Sequence, residues 1–168
     1  MCSDLRLTNT VFVVGIFHGY EKPKSLNEFL EEFISELIPL VNEGLTTSEG
    51  EVICVNLVAL ICDVPAKSFV LLFKSNNGYN SCSKCIITGT YIRTNGIHGT
   101  VCFPSPNEED EFILKCDTLF GENYYKDCQN GVSILNSVPN FGLISGTPLD
   151  YMHLVCIGVV KKIGNFMA

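Results

Sequence analysis

The eleven residues from Val52 to Cys62, VICVNLVALIC, are apolar at every position but Asn56, and the run stops at a carboxylate, Asp63. A run of that length rich in Val and Ile predicts a strand, and apolar side chains of both parities predict one covered on both faces, as at the centre of a sheet. It is too short for a bilayer, which takes roughly 20 apolar residues, and no other run in the chain reaches that length. A side chain just beyond the C-terminal end of a central strand stands where α/β folds place their chemistry. The same position suits the N-cap of a helix entered through Pro65, and the two roles are compatible.

The flanking segments extend the pattern. Thr10 to Tyr20, TVFVVGIFHGY, predicts a second buried strand. Ser25 and Glu28 then form a capping box, and Leu26, Phe29, Leu30, Phe33, Ile34, Leu37 and Val41 recur at helical spacing up to Gly44, with Glu31, Glu32 and Glu36 on the opposite face. AKSFVLLFK continues as a short helix after Pro65. From Asn76 the composition changes to dense Gly, Asn, Ser and Thr, with short strand-like pieces, CIITGTYI and GTVCFP, and an acidic linker, PSPNEEDEF. A weak helix over Phe112–Phe120 follows, and Pro148 introduces a closing helix that is apolar on most sides. The fold class expected is α/β, with a core over residues 1–75, a loop-rich insertion over 76–147, and a helix over 148–168 that the end of the chain cuts.

Several function classes fall away on composition. The N-terminus, MCSDLRLTNT, is neither basic and then apolar nor Arg-rich, so an intracellular protein with no membrane partner is expected. The nine cysteines are odd in number, and Cys54, Cys62 and Cys156 lie inside apolar runs, which predicts reduced thiols. A net charge of −7 supplies no clustered cations for a phosphate backbone. There is no P-loop, no dinucleotide-binding glycine fingerprint and no nucleophile elbow.

Two features carry candidate chemistry. Asp63 suits a hard divalent cation such as Mg²⁺. Cys82-Ser-Lys-Cys85 lies in a loop of turn formers, NNGYNSCSKC, at the spacing that lets two thiolates reach one Zn²⁺. A redox dithiol normally opens a helix, whereas Ile86 and Ile87 here lead into strand-like sequence. The thiol pair is half a zinc site. His153 is the preferred further ligand, with Asp150 three residues earlier on the same helix face to orient its imidazole or to act as a ligand itself, and His98 and Cys102 as alternatives.

The phrases HGYEKPKSLNEFLEEF, ICDVPAKSF, NGYNSCSKC and SGTPLDYMHLVCIGVVKK together resemble transposase-derived proteins related to the CACTA-type cut-and-paste DNA transposases. The resemblance implies an RNase H-like catalytic domain in which three acidic residues hold two Mg²⁺ ions, with Asp63 as the second of the three. It also implies a zinc-binding insertion carrying Cys82 and Cys85, with Asp150 and His153 matching a further C/D-x-x-H element. DNA would be the partner, and the nucleus the location, of an intact relative. The first acidic residue has no counterpart upstream of Leu7, where Asp4 sits in a polar tail, and the third would lie beyond Ala168. A fragment inactive on its own is therefore expected, with Asp117 and Asp127 the nearest other carboxylates in the insertion. The alternative is a domesticated, non-catalytic, zinc-stabilised interaction protein.

Overall fold

The computed structural model describes residues 13–74, 78–93, 99–104 and 113–160, the side chains at 153, 154, 157 and 158 excepted. Within them the architecture is mixed α/β, with three α-helices, two small antiparallel sheets, a short 3₁₀ helix and a closing π-helix. The chain gathers into two compact units.

The first unit runs to Val58 and takes in Ile134–Phe141. Its main element is α1, Leu26–Glu43, which starts where the capping box places it: the Ser25 hydroxyl accepts from the Glu28 N–H at 3.3 Å. Leu26, Ile34 and Leu37 form its buried stripe. Pro39 removes one amide donor from the last turns, yet the helix continues to Gly44, whose N–H reaches the Leu40 carbonyl at 3.0 Å. Gly44 has φ 79°, and a Cβ there would stand 2.7 Å from the Ile53 oxygen, so both the backbone and the space require glycine. Immediately after it, β1 (Leu45–Thr46) pairs antiparallel with β2 (Val52–Ile53). The 3₁₀ helix Ile134–Ser137 packs on α1, its first N–H held by Asn27 Oδ1 at 2.9 Å, and contributes buried Leu135.

The second unit takes in Ala59–Ser133 and the chain from Gly142. It contains α2 (Val64–Val70), a hairpin of β3 (Thr90–Arg93) with β4 (Gly99–Cys102), α3 (Asp117–Gly121) and the π-helix Met152–Val160. Its core is Leu71, Phe73, Cys85, Phe120, Cys128, Leu143 and Ile144. Buried Gln129 is satisfied on both sides of its amide, donating to the Phe120 carbonyl at 2.8 Å and accepting from the Tyr125 N–H at 3.1 Å.

Two expectations about strands need correction. From Val13 to Gly19 the chain runs without turn, bend or helix, and from Cys54 to Asp63 it does so again, but neither stretch joins a sheet; only Val52–Ile53 is paired. The second run is also not covered on both faces. Ile53, Val55 and Leu57 are half-buried while Val52, Cys54, Asn56 and Val58 are exposed, a period-two alternation that marks one covered face. Ile16 at 84%, Val58 at 83% and Ile61 at 76% exposure show how far these side chains are from a sheet interior. β-Branched residues extend the backbone locally, but pairing requires a neighbouring edge, and both sheets present here are two-stranded and antiparallel. The covered central strand expected before Asp63 is therefore absent among the described residues. The first part of the Thr10–Tyr20 strand, and Lys161 onward in the closing helix, lie outside the described residues. Among the described residues, no helix is long and apolar enough to cross a membrane.

Candidate functional site

Asp63 takes the capping role. It is the N-cap of α2, with φ −64° and ψ 170°, and its Oδ1 accepts from the Ala66 N–H at 2.8 Å, while Pro65 occupies the first turn. One turn on, Lys67 is 6% exposed and its Nζ donates to the Pro148 carbonyl at 2.5 Å. Burial lowers the Lys67 ammonium's pKa, and burial raises that of the neighbouring Cys62 thiol. Asp150 lies close enough to act electrostatically on both. The start of α2 and the segment before the π-helix thus share one neighbourhood.

The thiol pair is built by a loop tied down at both ends. Asn80 Oδ1 accepts from Thr88 Oγ1 at 2.9 Å, and the Gly89 N–H reaches the Tyr79 carbonyl at 2.6 Å. Beyond the turn, Cys85 bridges antiparallel to Leu114, with the Lys115 N–H on the Lys84 carbonyl at 2.8 Å and the Ile86 N–H on the Ile113 carbonyl at 3.1 Å. This anchoring leaves Cys82 half-buried and Cys85 at 7% exposure. The Cys85 N–H and Sγ lie 3.3 Å and 3.0 Å from Cys82 Sγ, both placed as donors to it.

Beneath the turn lies a residue that sequence reading does not single out. Lys115, 7% exposed, donates from Nζ to the carbonyls of both Cys82 and Cys85, the second at 2.9 Å. Its ammonium stands 5.1 Å from the Phe73 ring centre and 5.8 Å from that of Tyr125. Burial disfavours a thiolate at Cys82, but donation from Cys85 Sγ and from the N–H groups of Lys84 and Cys85, aided by the Lys115 charge, outweighs it, so that pKa is lowered. The Cys85 pKa is raised, by burial first and then by its donation to Cys82. The one sequence signal for Lys115 is a lysine directly after the apolar pair Ile113-Leu114, in a segment too short to show periodicity.

A second strut ties the turn to the chain leading to Asp150. Lys84, inside the C-x-x-C, donates from Nζ to the Ile144 carbonyl, and it lies within electrostatic range of Lys67, Asp117 and Cys82. Asp117 Oδ1 accepts from the N–H groups of Ile144 at 2.5 Å and Ser145 at 3.0 Å. Burial alone would raise the Asp117 pKa, but the Ser145 hydroxyl and these two amides lower it below the ordinary 3.8. A depressed folded value makes the contribution to stability fully present above pH 3.8, lost progressively as the pH falls through the folded value. We expect Asp117→Asn to flatten the acid limb of a stability-versus-pH curve below about pH 4; a limb of unchanged steepness in urea titrations would assign the acid sensitivity to another carboxylate.

The remaining candidates divide. Asp150 stands just before the closing helix, and its Oδ1 accepts from the Met152 N–H at 2.9 Å. The helix that follows, Met152–Val160, is wound with i to i+5 bonding. The side chain of His153, and His98 altogether, lie outside the described residues. Cys102 sits opposite Thr90 at the end of β4. Among the described residues no three His, Cys, Asp or Glu side chains converge where one ion could be held. The pair Cys82 and Cys85 fits two corners of a zinc tetrahedron after a modest side-chain rotation, because thiolates about 2.3 Å from zinc stand roughly 3.8 Å apart rather than 3.0 Å. Asp63, with its Oδ1 engaged by the helix, does not by itself make a two-Mg²⁺ centre. Comparison with protein-family models, curated proteins and solved structures finds no match to this chain.

Proposed function

We propose that this chain is a zinc-braced part of a transposase-derived protein related to the CACTA-type cut-and-paste enzymes, and that it does not cut DNA by itself. In this reading the described residues belong to an RNase H-like domain and its insertion. The intact protein acts on DNA in the nucleus. The observation that carries the zinc reading is the Cys82–Cys85 turn, in which one thiol is favoured as thiolate by two backbone N–H groups and a buried ammonium lies under the pair. The struts from Lys84 to Ile144 and from Lys67 to Pro148 support His153 as a further ligand, since they hold the chain approaching that residue to the elements around the thiols. Bound zinc would lock the turn to the closing helix and supply folding energy to a loop-rich segment.

A second reading, an interaction protein that keeps the metal-braced fold without the reaction, is favoured by Asp63, whose carboxylate serves as a helix cap. Both readings share the zinc. The purified chain is expected to carry about one zinc per molecule, lost in a Cys82→Ser, Cys85→Ser double variant and weakened by His153→Ala, as measured by elemental analysis and chelator competition. Unchanged zinc in the double variant would sink the assignment, and a mass 2 Da lower that dithiothreitol restores, in a zinc-free chain, would identify a disulfide pair instead.

A further inference from the structure

We propose that the groove between Val14–Phe17 and α1 binds an extended peptide segment of alternating apolar and basic residues, which adds as a strand beside Val13–Phe17. The groove encloses about 620 Å³, within the roughly 300–1,000 Å³ range of ligand clefts, and its floor is apolar, with Val14, Phe17, Phe29 and Phe33. The Phe17 and Phe29 rings meet edge to face at 5.7 Å while both remain exposed, so they offer a joint apolar surface to a ligand. Its rim is acidic. Glu32 and Glu36 line it, and α1 carries no Lys or Arg anywhere along its length. A neighbouring hollow beyond Phe17 is lined by Lys22 and Lys24 together with Glu21 and Glu28, so the net acidic rim is confined to the Glu32 and Glu36 side.

Three observations select an extended segment over other ligands. The stretch Val13–Gly19 has no turn, bend or helix, no backbone hydrogen bond joins it to another described residue, and Val13, Val14 and Ile16 are exposed, which is the kind of segment that strand addition uses. A Cβ built on Gly15 meets nothing within 4 Å, leaving room for a neighbouring backbone. Side chains of an added strand alternate, so those facing the floor would be apolar and those at the rim would meet Glu32 and Glu36. A second copy of this chain is a poor occupant, because it brings a net charge of −7 to an acidic rim.

The test is fluorescence anisotropy with the whole chain and three labelled ten-residue peptides: alternating Val and Lys, alternating Val and Glu, and all Lys. The Val/Lys peptide is expected to bind at least about tenfold more tightly than either other peptide. Glu32→Lys with Glu36→Lys should reverse the preference between the Val/Lys and Val/Glu peptides. Ile16→Pro removes one amide from the Val13–Gly19 stretch at an exposed position, and should reduce binding while leaving the circular dichroism unchanged. Equal binding of the Val/Lys and Val/Glu peptides, or all-Lys binding as tight as Val/Lys, overturns the proposal. So does a dimer in sedimentation that Ile16→Asp dissolves, which would make a second copy the occupant. The zinc assignment stands or falls separately, since Ile16, Glu32 and Glu36 belong to the first unit and the thiol turn to the second.

Discussion

Phe120→Ala is expected to destabilise the second unit by about 3–5 kcal/mol, whereas Asp63→Asn should cost under about 1 kcal/mol. Phe120 is 0% exposed. Its ring stacks near Phe73, 6.1 Å between centres, and tilts against Tyr125 at 6.4 Å, while its carbonyl accepts from Gln129. α3 is only five residues long, too short to persist on its own propensity, so its place depends on this anchor. Removing the ring leaves a cavity next to Lys115, which stands over the same Phe73 ring, and the loss should therefore spread to the thiol turn. Asn is as good an N-cap as Asp, so Asp63→Asn keeps the bond to the Ala66 N–H and removes only charge. Urea unfolding followed by tyrosine emission reads both variants, since the chain has six Tyr and no Trp. Comparable losses in the two would show that the Asp63 charge, rather than its capping geometry, holds α2 in place.

Local grammar was legible in this sequence, and tertiary consequence was much less so. The Ser25 cap, the stop at Gly44 and the Asp63 cap before Pro65 each depend on residues within one or two turns of each other, and each stands where such spacing puts it, whereas of the strand-like piece CIITGTYI only its end, from Thr90, is strand. The long apolar runs were harder. Val and Ile dictated an extended chain over residues 13–19 and 54–63, but whether an extended chain becomes a covered strand is settled by a partner edge that its own side chains do not encode. Leu60 illustrates the difference: it reads as core, yet it is half-buried, with its N–H on the Gly146 carbonyl at 2.8 Å.

The candidate site divides the same way. The C-x-x-C spacing announced a tight turn with two nearby thiols, and the turn has them 3.0 Å apart. Its supports were not visible, because Lys67, Lys84 and Lys115 act through carbonyls 81, 60 and 30 or 33 residues away in sequence. A lysine reads as surface by composition. Nothing local distinguishes one whose stem is buried and whose ammonium caps a distant loop. For Asp150 and His153 the i, i+3 argument presupposes α-helical winding, whereas the helix that follows Asp150 is a π-helix, a winding that their residue types do not announce.

Of these supports Lys115 is the one whose loss should be felt most at the site. Lys115→Met retains a stem of similar length and removes the ammonium, leaving the Cys82 and Cys85 carbonyls without the donor they share. A buried acceptor left unpaired costs about 1–3 kcal/mol. With two such acceptors, a shift in the urea midpoint about as large as that of a core truncation is expected. If the turn holds zinc as proposed, zinc affinity should fall in parallel, since zinc takes the thiols as thiolates and the Lys115 charge is one of the influences lowering the Cys82 pKa. Lys115→Arg tests whether charge alone suffices: the guanidinium keeps the cation but is a planar fork too bulky for the slot between the Phe73 and Tyr125 rings, so it should restore little stability. Chelator competition for zinc, read beside urea unfolding of the same samples, separates the two effects. If Lys115→Met leaves both the midpoint and the zinc affinity within error of the parent chain, the ammonium is a bystander and the turn is held by its pairing with residues 113–115 alone.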